Sequence, residues 1–296
     1  MTSPQFQAVV ATIPDNFASP DADYREVRAT MAPFHGQPLS DDVIFRETHL
    51  GGIRCGNYRL RDSSDERWCF LHIHGGALVS CPLDHYHFYA EIILRQLGHQ
   101  VVMPDYRLAP EARYPAAAND CLAAYKGLID TGMPADRIIM LGESCGGGLG
   151  LCALLLARDS GLPMPAAFVS LTGWYDLSVA TPPVGREPFL TPEWVRNRGR
   201  EYTGGKLPLD DPRVSPSRAD LHSLPPLYLQ VGQFDTMTPG ALELAHNATL
   251  AGVQVRVDSW PGMIQGWHGL VGAGVPEAEA AWNDIQRYVS ALDCSS

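Results

Sequence analysis

The residues best suited to do chemistry lie in one run, Ile138-Ile139-Met140-Leu141-Gly142-Glu143-Ser144-Cys145-Gly146-Gly147-Gly148-Leu149. Four apolar residues predict a buried strand, Gly-x-Ser-x-Gly follows, and Leu149 to Ala157 continues as a helical run. A serine in that setting sits on a strained strand-to-helix turn with its hydroxyl pushed clear of the backbone. Gly142 and Gly146 suit the turn, because a side chain at either place would collide with the neighbouring strand or helix. The helix N-terminus behind Ser144 aims backbone N–H groups at any oxyanion formed there. Gly-x-Ser-x-Gly alone fits any Gly-rich turn. The strand before it and the helix after it make it a nucleophile elbow, a place for acyl-transfer chemistry.

The elements that would hold such a serine alternate along the chain. Residues 43 to 62 read as two strands around Gly51-Gly52, and Trp68 to Ile73 as a central strand ending in His74-Gly75-Gly76-Ala77. That last loop supplies backbone N–H groups beside the elbow. Asp84 is placed to cap a helix with apolar positions at Tyr86, Tyr89, Ile93, Leu94 and Leu97, closed by Gly98. Val101 to Met103 is the next strand, ended by Pro104, and Pro115 opens an Ala-rich helix running to about Thr131. After the elbow come a strand at Ala167 to Leu171, a strand at Leu227 to Val231, a Pro239-started helix to Gly252, and a strand at Val253 to Ser259. A last helix carries Ala278, Trp282, Ile285, Val289 and Leu292 on one face. Strand and helix in alternation imply an α/β fold with a mainly parallel sheet covered on both faces.

Two stretches depart from the alternation. Residues 1 to about 45 hold one candidate helix, Asp21 to Met31, in a loop-like context punctuated by Pro14, Pro20, Pro33 and Pro38. Between about 178 and 215 an insertion beginning at Thr181-Pro182-Pro183 carries one helix, Thr191 to Tyr202, stopped by Gly204-Gly205. An insertion after a core strand commonly covers a site as a lid.

Composition narrows the classes. At 296 residues with 45% apolar and 19% charged residues the chain is ordinary globular material. A net charge of -11 and a pI near 5.3 argue against nucleic acid or an anionic membrane as partner, and otherwise mean solubility. Seven cysteines, scattered and without C-x-x-C pairing, suggest neither a disulfide framework nor a zinc site. Reduced thiols in a cytoplasmic protein are the simpler account. Met1 to Ile13 lacks the pattern of a signal peptide, and no apolar run approaches the roughly 18 residues of a membrane span. No cofactor or metal is implied.

Three further stretches sharpen the picture: His74-Gly75-Gly76-Ala77; Asp105-Tyr106-Arg107-Leu108-Ala109-Pro110-Glu111; and Asp211-Pro212-Arg213-Val214-Ser215-Pro216, followed by Leu224-Pro225-Pro226 and Val231-Gly232 on the way to Asp235. With the elbow, they make residues from about 68 to 270 resemble the hormone-sensitive-lipase-like esterases, the bacterial family IV carboxylesterases of the α/β-hydrolase fold. The resemblance implies a single α/β-hydrolase domain over 1–296, with about 1–45 and 178–210 folding together as a small helical cap. It implies an oxyanion hole from Gly75 and Gly76 with the N–H of Cys145. It makes His74 and the Asp105–Glu111 stretch scaffold. The triad acid should follow a late strand and precede the histidine, and Asp235 fits; the rival carboxylate, Asp176, is structural on the same resemblance. Cys145 is small enough to sit behind the serine, with its side chain turned away from the pocket. The partner implied is a small-molecule ester or acyl substrate, and a homodimer is compatible with it.

The histidine is where the sequence departs. Family members carry Gly-Met-x-His about thirty residues after the acid; here the segment is Gly262-Met263-Ile264-Gln265, with His268 three residues later. An amide is essentially non-basic near pH 7, so Gln265 cannot take the proton of Ser144, though it can hydrogen-bond to Ser144 or Asp235. Three accounts are open: His268 has taken over, the chain is an engineered inactive form, or it is a natural member that has left ester hydrolysis. The gibberellin receptors of plants resemble this family and have also lost the catalytic histidine. A side chain three residues on is aimed about 60° away at 100° per residue, so His268 is expected out of reach of Ser144. The function expected is serine carboxylic-ester hydrolysis, weak or absent with Gln265 at the base position. A cyclase or lyase, or a small-molecule binder, is the alternative.

Overall fold

In a computed structural model of the chain the apolar runs become eight strands of one sheet, in the order β1-β2-β4-β3-β5-β6-β7-β8. These are β1 (Val43–Leu50), β2 (Ile53–Leu60), β3 (Cys69–Ile73), β4 (Gln100–Pro104), β5 (Ile138–Glu143), β6 (Ala167–Leu171), β7 (Leu227–Gly232) and β8 (Val255–Trp260). The structure describes residues 2–13, 17, 19–32, 38–63, 67–185 and 187–292; Pro14, Pro33 and the seventh cysteine, Cys294, lie outside them. The first two strands form an antiparallel hairpin in which Leu50 faces Ile53 across Gly51 and Gly52, both at positive φ. β2 also runs antiparallel to β4, and every other pairing is parallel.

The central strands are unbroken apolar runs because both of their faces are buried. Along β5, Ile138 and Met140 point into one core while Ile139 and Leu141 point into the other. Leu227, Leu229 and Val231 of β7 join the first core and Tyr228 the second. The first core is closed by α4 (Ala116–Asp130), α5 (Cys145–Asp159) and α7 (Thr238–Leu250) through residues such as Leu128, Leu151, Leu154 and Leu244. The second is closed by α3 (His87–Leu97) and α8 (Pro276–Leu292) through Ile93, Leu94, Trp282 and Ile285.

Two local expectations fail. The helix read from Asp84 begins at His87, after a short 3-10 turn over Leu83–His85, and it has no side-chain cap. Asp84 is engaged elsewhere, accepting from Arg54 Nη2 at 2.7 Å, so the ion pair takes the carboxylate that capping would use. The N-terminal stretch, read as loop before residue 21, contains α1 (Pro4–Val10). Ser3 caps it by accepting from Phe6 N at 3.1 Å, and the helix buries Phe6 against Met263, Ile264, Trp267 and Ala278. Only seven residues long, α1 shows no periodicity of its own; its partner face makes it a helix.

The expected helix at Asp21 to Met31 is α2 (Tyr24–Met31), with Asp23 and Glu26 forming a capping box. The insertion contributes α6 (Pro192–Thr203), capped by Thr191 and ended by Gly204 in the left-handed conformation. Asn197 Nδ2 donates to Pro20 O at 2.8 Å and Arg198 Nη2 to Ala22 O at 2.6 Å, so the N-terminal segment and the insertion lie against each other. No helix among the described residues is long and apolar enough to cross a membrane.

Candidate active site

The residues with chemical potential gather beyond the carboxyl ends of the parallel strands, where open α/β sheets place their ligands. Ser144 joins β5 to α5 with φ +54° and ψ −125°, a conformation an L-residue holds only under constraint. The constraint is visible. Ser144 N donates to Leu171 O at 3.0 Å, and Ser144 O accepts from Gly147 N and Trp174 N, both at 2.9 Å. The elbow also needs its glycines: a Cβ on Gly146 would lie 2.0 Å from Ile73 O, and one on Gly142 2.7 Å from Gly146 O.

Asp235 follows β7 and Gln265 follows β8, and both are buried. The orientation of the Gln265 amide is set by its neighbours, since the end facing Asp235 meets only acceptors and must be the NH2. So oriented, Nε2 donates to Asp235 Oδ1 at 2.9 Å and Oδ2 at 3.0 Å, while Oε1 accepts from Ser144 Oγ at 3.0 Å. Gln265 therefore bridges the hydroxyl and the carboxylate as expected. His268 is elsewhere: its ring is fully buried, Nε2 meets Gln230 Oε1 at 2.7 Å, and burial pulls its pKa down to about 3. Asp176 is likewise committed, accepting from Arg218 Nη1 and Nη2 at 3.0 and 3.1 Å and from the Ser178 and Ala180 N–H groups.

The loop after β3 packs against the elbow. His74 stacks on Tyr106 with ring centroids 4.1 Å apart and bonds to Gly75 O through Nδ1, and burial lowers its pKa to about 4. Asp105 accepts from Leu83 N and Arg54, and Glu111 from Arg28. Cys145 turns its sulfur away from Ser144, toward Leu78 N at 3.2 Å, and burial raises the thiol to about 12, which keeps it protonated and unreactive. Glu143, the residue before the serine, sends its carboxyl under Gly75, where a Cβ would lie 2.1 Å from Oε2. Tyr86 OH donates to that oxygen at 2.6 Å and the Gly75 N–H also stabilises the carboxylate, but burial dominates and lifts Glu143 to about 7.

Two residues of the site were not singled out in the sequence. Thr172, just past β6 at φ +49°, offers Oγ1 to Gln265 Nε2 at 3.3 Å and accepts from Gly266 N at 3.4 Å. Glu187 comes from the insertion and is buried, accepting from Gln265 N at 2.8 Å and from Phe189 N at 2.9 Å. Burial raises Glu187 to about 7, and Asp235 is pushed well above the usual carboxylate range by burial, then by Glu187 and Glu143. The two N–H bonds from Gln265 favour the ionised form of Asp235 and act against that shift. Thr172 gave no signal because its role rests on a backbone angle. Glu187 gave none because nothing local marks it as buried.

Comparison with known proteins agrees with this architecture. A family described as alpha/beta hydrolase fold matches residues 70–269. An acetyl-hydrolase of Streptomyces hygroscopicus is 35% identical over 214 residues, 71% of each chain. An esterase of Acinetobacter venetianus is 28% identical over 260 residues, covering 86% of this chain and 85% of its own. Among solved structures, an esterase from the bacterial hormone-sensitive lipase family superposes with a TM-score of 0.87 at 32% identity, over 97% of this chain and 98% of its own. The chain belongs to the α/β-hydrolase family. Within that family it is one of the hormone-sensitive-lipase-like proteins and, by class, a carboxylesterase-type hydrolase.

Proposed function

We propose that this chain is a serine hydrolase of small carboxylic esters whose base position is held by Gln265, leaving proton transfer as the missing step. Ser144 is the nucleophile, Asp235 the orienting acid, and the N–H groups of Gly75, Gly76 and Cys145 the oxyanion hole. The observation that carries the reading is the continuous line Ser144 Oγ, Gln265 amide, Asp235 carboxylate, with contacts of 2.9 to 3.0 Å. In a working triad the middle group takes the serine proton during attack on the ester carbonyl and returns it to the leaving alcohol. The Gln265 oxygen can accept a hydrogen bond but cannot keep the proton, so Ser144 remains a weak nucleophile.

The N-terminal segment and residues 178–210 form a cap. Replacing Gln265 with histidine tests the reading. Loss of a triad histidine in one well-studied hydrolase costs about 10⁶ in turnover, so Gln265→His should raise hydrolysis of a short activated ester by several orders of magnitude. The same change in a Ser144→Ala background should give no gain. Flat ester turnover in Gln265→His, with folding intact, would reject the proposal.

A further inference from the structure

We infer that Glu187 is a positioning residue of the site: its carboxyl couples the inserted segment to residue 265 and places a second buried acid close to Asp235. The inference rests on the reading of Ser144, residue 265 and Asp235 as the reacting line. Glu187 lies 78 positions before Gln265 in the chain yet accepts its backbone N–H at 2.8 Å through Oε2. The other oxygen holds Phe189 N at 2.9 Å, which fixes the carboxyl on its own segment of the insertion. Glu187 is only 5% exposed, so the two N–H groups have little water to replace it. The side chain of residue 265 can bridge Ser144 and Asp235 only while its backbone stays where Glu187 holds it.

The charge matters as much as the hold. Burial acts on both acids, Glu187 and Glu143 add to the shift on Asp235, and the influences that act the other way are backbone N–H groups; none of them is a cation. Asp235 therefore faces the neutral Gln265 amide, and Glu187 the backbone N–H of the same residue. An imidazole at the same place would take the bonds to Asp235, with Glu187 held on the backbone of the same residue, and its protonated form would be the cation that favours ionisation of both acids. Glu187 thus shifts such a ring toward holding its proton, independently of any ester chemistry.

The test compares Gln265→His with Gln265→His/Glu187→Gln and Gln265→His/Glu187→Ala. The introduced imidazole is titrated by NMR, and the pH dependence of kcat/KM is followed on a short p-nitrophenyl ester. Glu187→Gln keeps the side-chain volume and removes the charge, so it should lower the pKa of that imidazole by about one unit. The acid limb of kcat/KM should move the same way. Glu187→Ala should lower kcat at least tenfold, because residue 265 loses its hold, while leaving KM nearly unchanged. An imidazole that titrates at the same pH with and without Glu187 overturns the inference, whatever happens to stability. The titration needs no turnover, so a Gln265→His protein inactive on esters would count against the proposed function and leave the assignment of Glu187 to be decided by the NMR shift.

Discussion

Asp176 and Asp235 both follow core strands and both are buried, but their surroundings give them different work. Asp176 is closed in a two-point pair with Arg218 and caps the backbone at Ser178 and Ala180. Asp235 bonds to Met237 N and to the Gln265 amide, with two other carboxyls nearby. Asp176→Asn should therefore cost about 2 kcal/mol of stability by leaving Arg218 half-paired. Asp235→Asn should cost less, because Asp235 is buried beside two other carboxyls with no cation to pair it. Introduced together with Gln265→His, it should cancel most of the gain in turnover. Urea melts and ester assays on the two variants check the pair, and equal stability losses would contradict the assignment. Ser144, Asp235 and Gln265 could be read from the sequence because each sits at a fixed place after a recognisable strand. Glu187 could not, since a carboxylate in an irregular insertion looks like any solvated acid until its two N–H partners are seen.

At the scale of elements, the core strands and most of the helices covering them were legible from apolar runs and from Gly and Pro breaks. Misreadings occurred where a distant partner decided the local outcome, as at Asp84, drawn away by Arg54, and at α1, built on α8 and the loop after β8. Ser3 concentrates the second case. Its hydroxyl accepts from Phe6 N and donates to Glu277 Oε2 at 2.7 Å, while its own N–H meets Glu277 Oε1 at 2.5 Å. Ser3→Ala should remove the cap and one strand of this tie, costing about 1 kcal/mol. The measurement is protease sensitivity of the segment before residue 13 alongside the global melt. Early cleavage without a large change in the global transition is expected, since α1 lies outside the two main cores. Unchanged cleavage would show that apolar burial of Phe6 alone holds the helix.

Across the whole molecule, burial of acids and of histidines pulls stability in opposite directions with pH. Glu143 is raised from its usual 4.5 to about 7, so it binds a proton in the folded state more readily than in the unfolded chain. Its contribution is full below about pH 4.5 and is lost as pH rises through about 7. His72, His74 and His268 are lowered by burial, so their contribution is present above the usual histidine pKa and is lost as pH falls below it. Removing the acid should expose the other slope. Between pH 5 and 8, Glu143→Gln should gain on the wild-type chain by about 3 kcal/mol, and its stability maximum should move to higher pH. Denaturant titrations at a series of pH values measure this, and parallel curves for the two proteins would refute it.

The tie between Ser3 and Glu277 also sets an order of events during synthesis. The two residues are 274 positions apart, and a ribosome adding about 5 to 20 residues per second needs tens of seconds to cover that distance. Throughout that interval Phe6 has neither the loop after β8 nor α8 to rest against. The parallel core can assemble as its strands emerge, but α1 must wait for α8 before it can dock. α1 is therefore docked only after the loops that carry Ser144, Asp235 and Gln265 have been made, which leaves it open to proteases and chaperones in the nascent chain until α8 arrives.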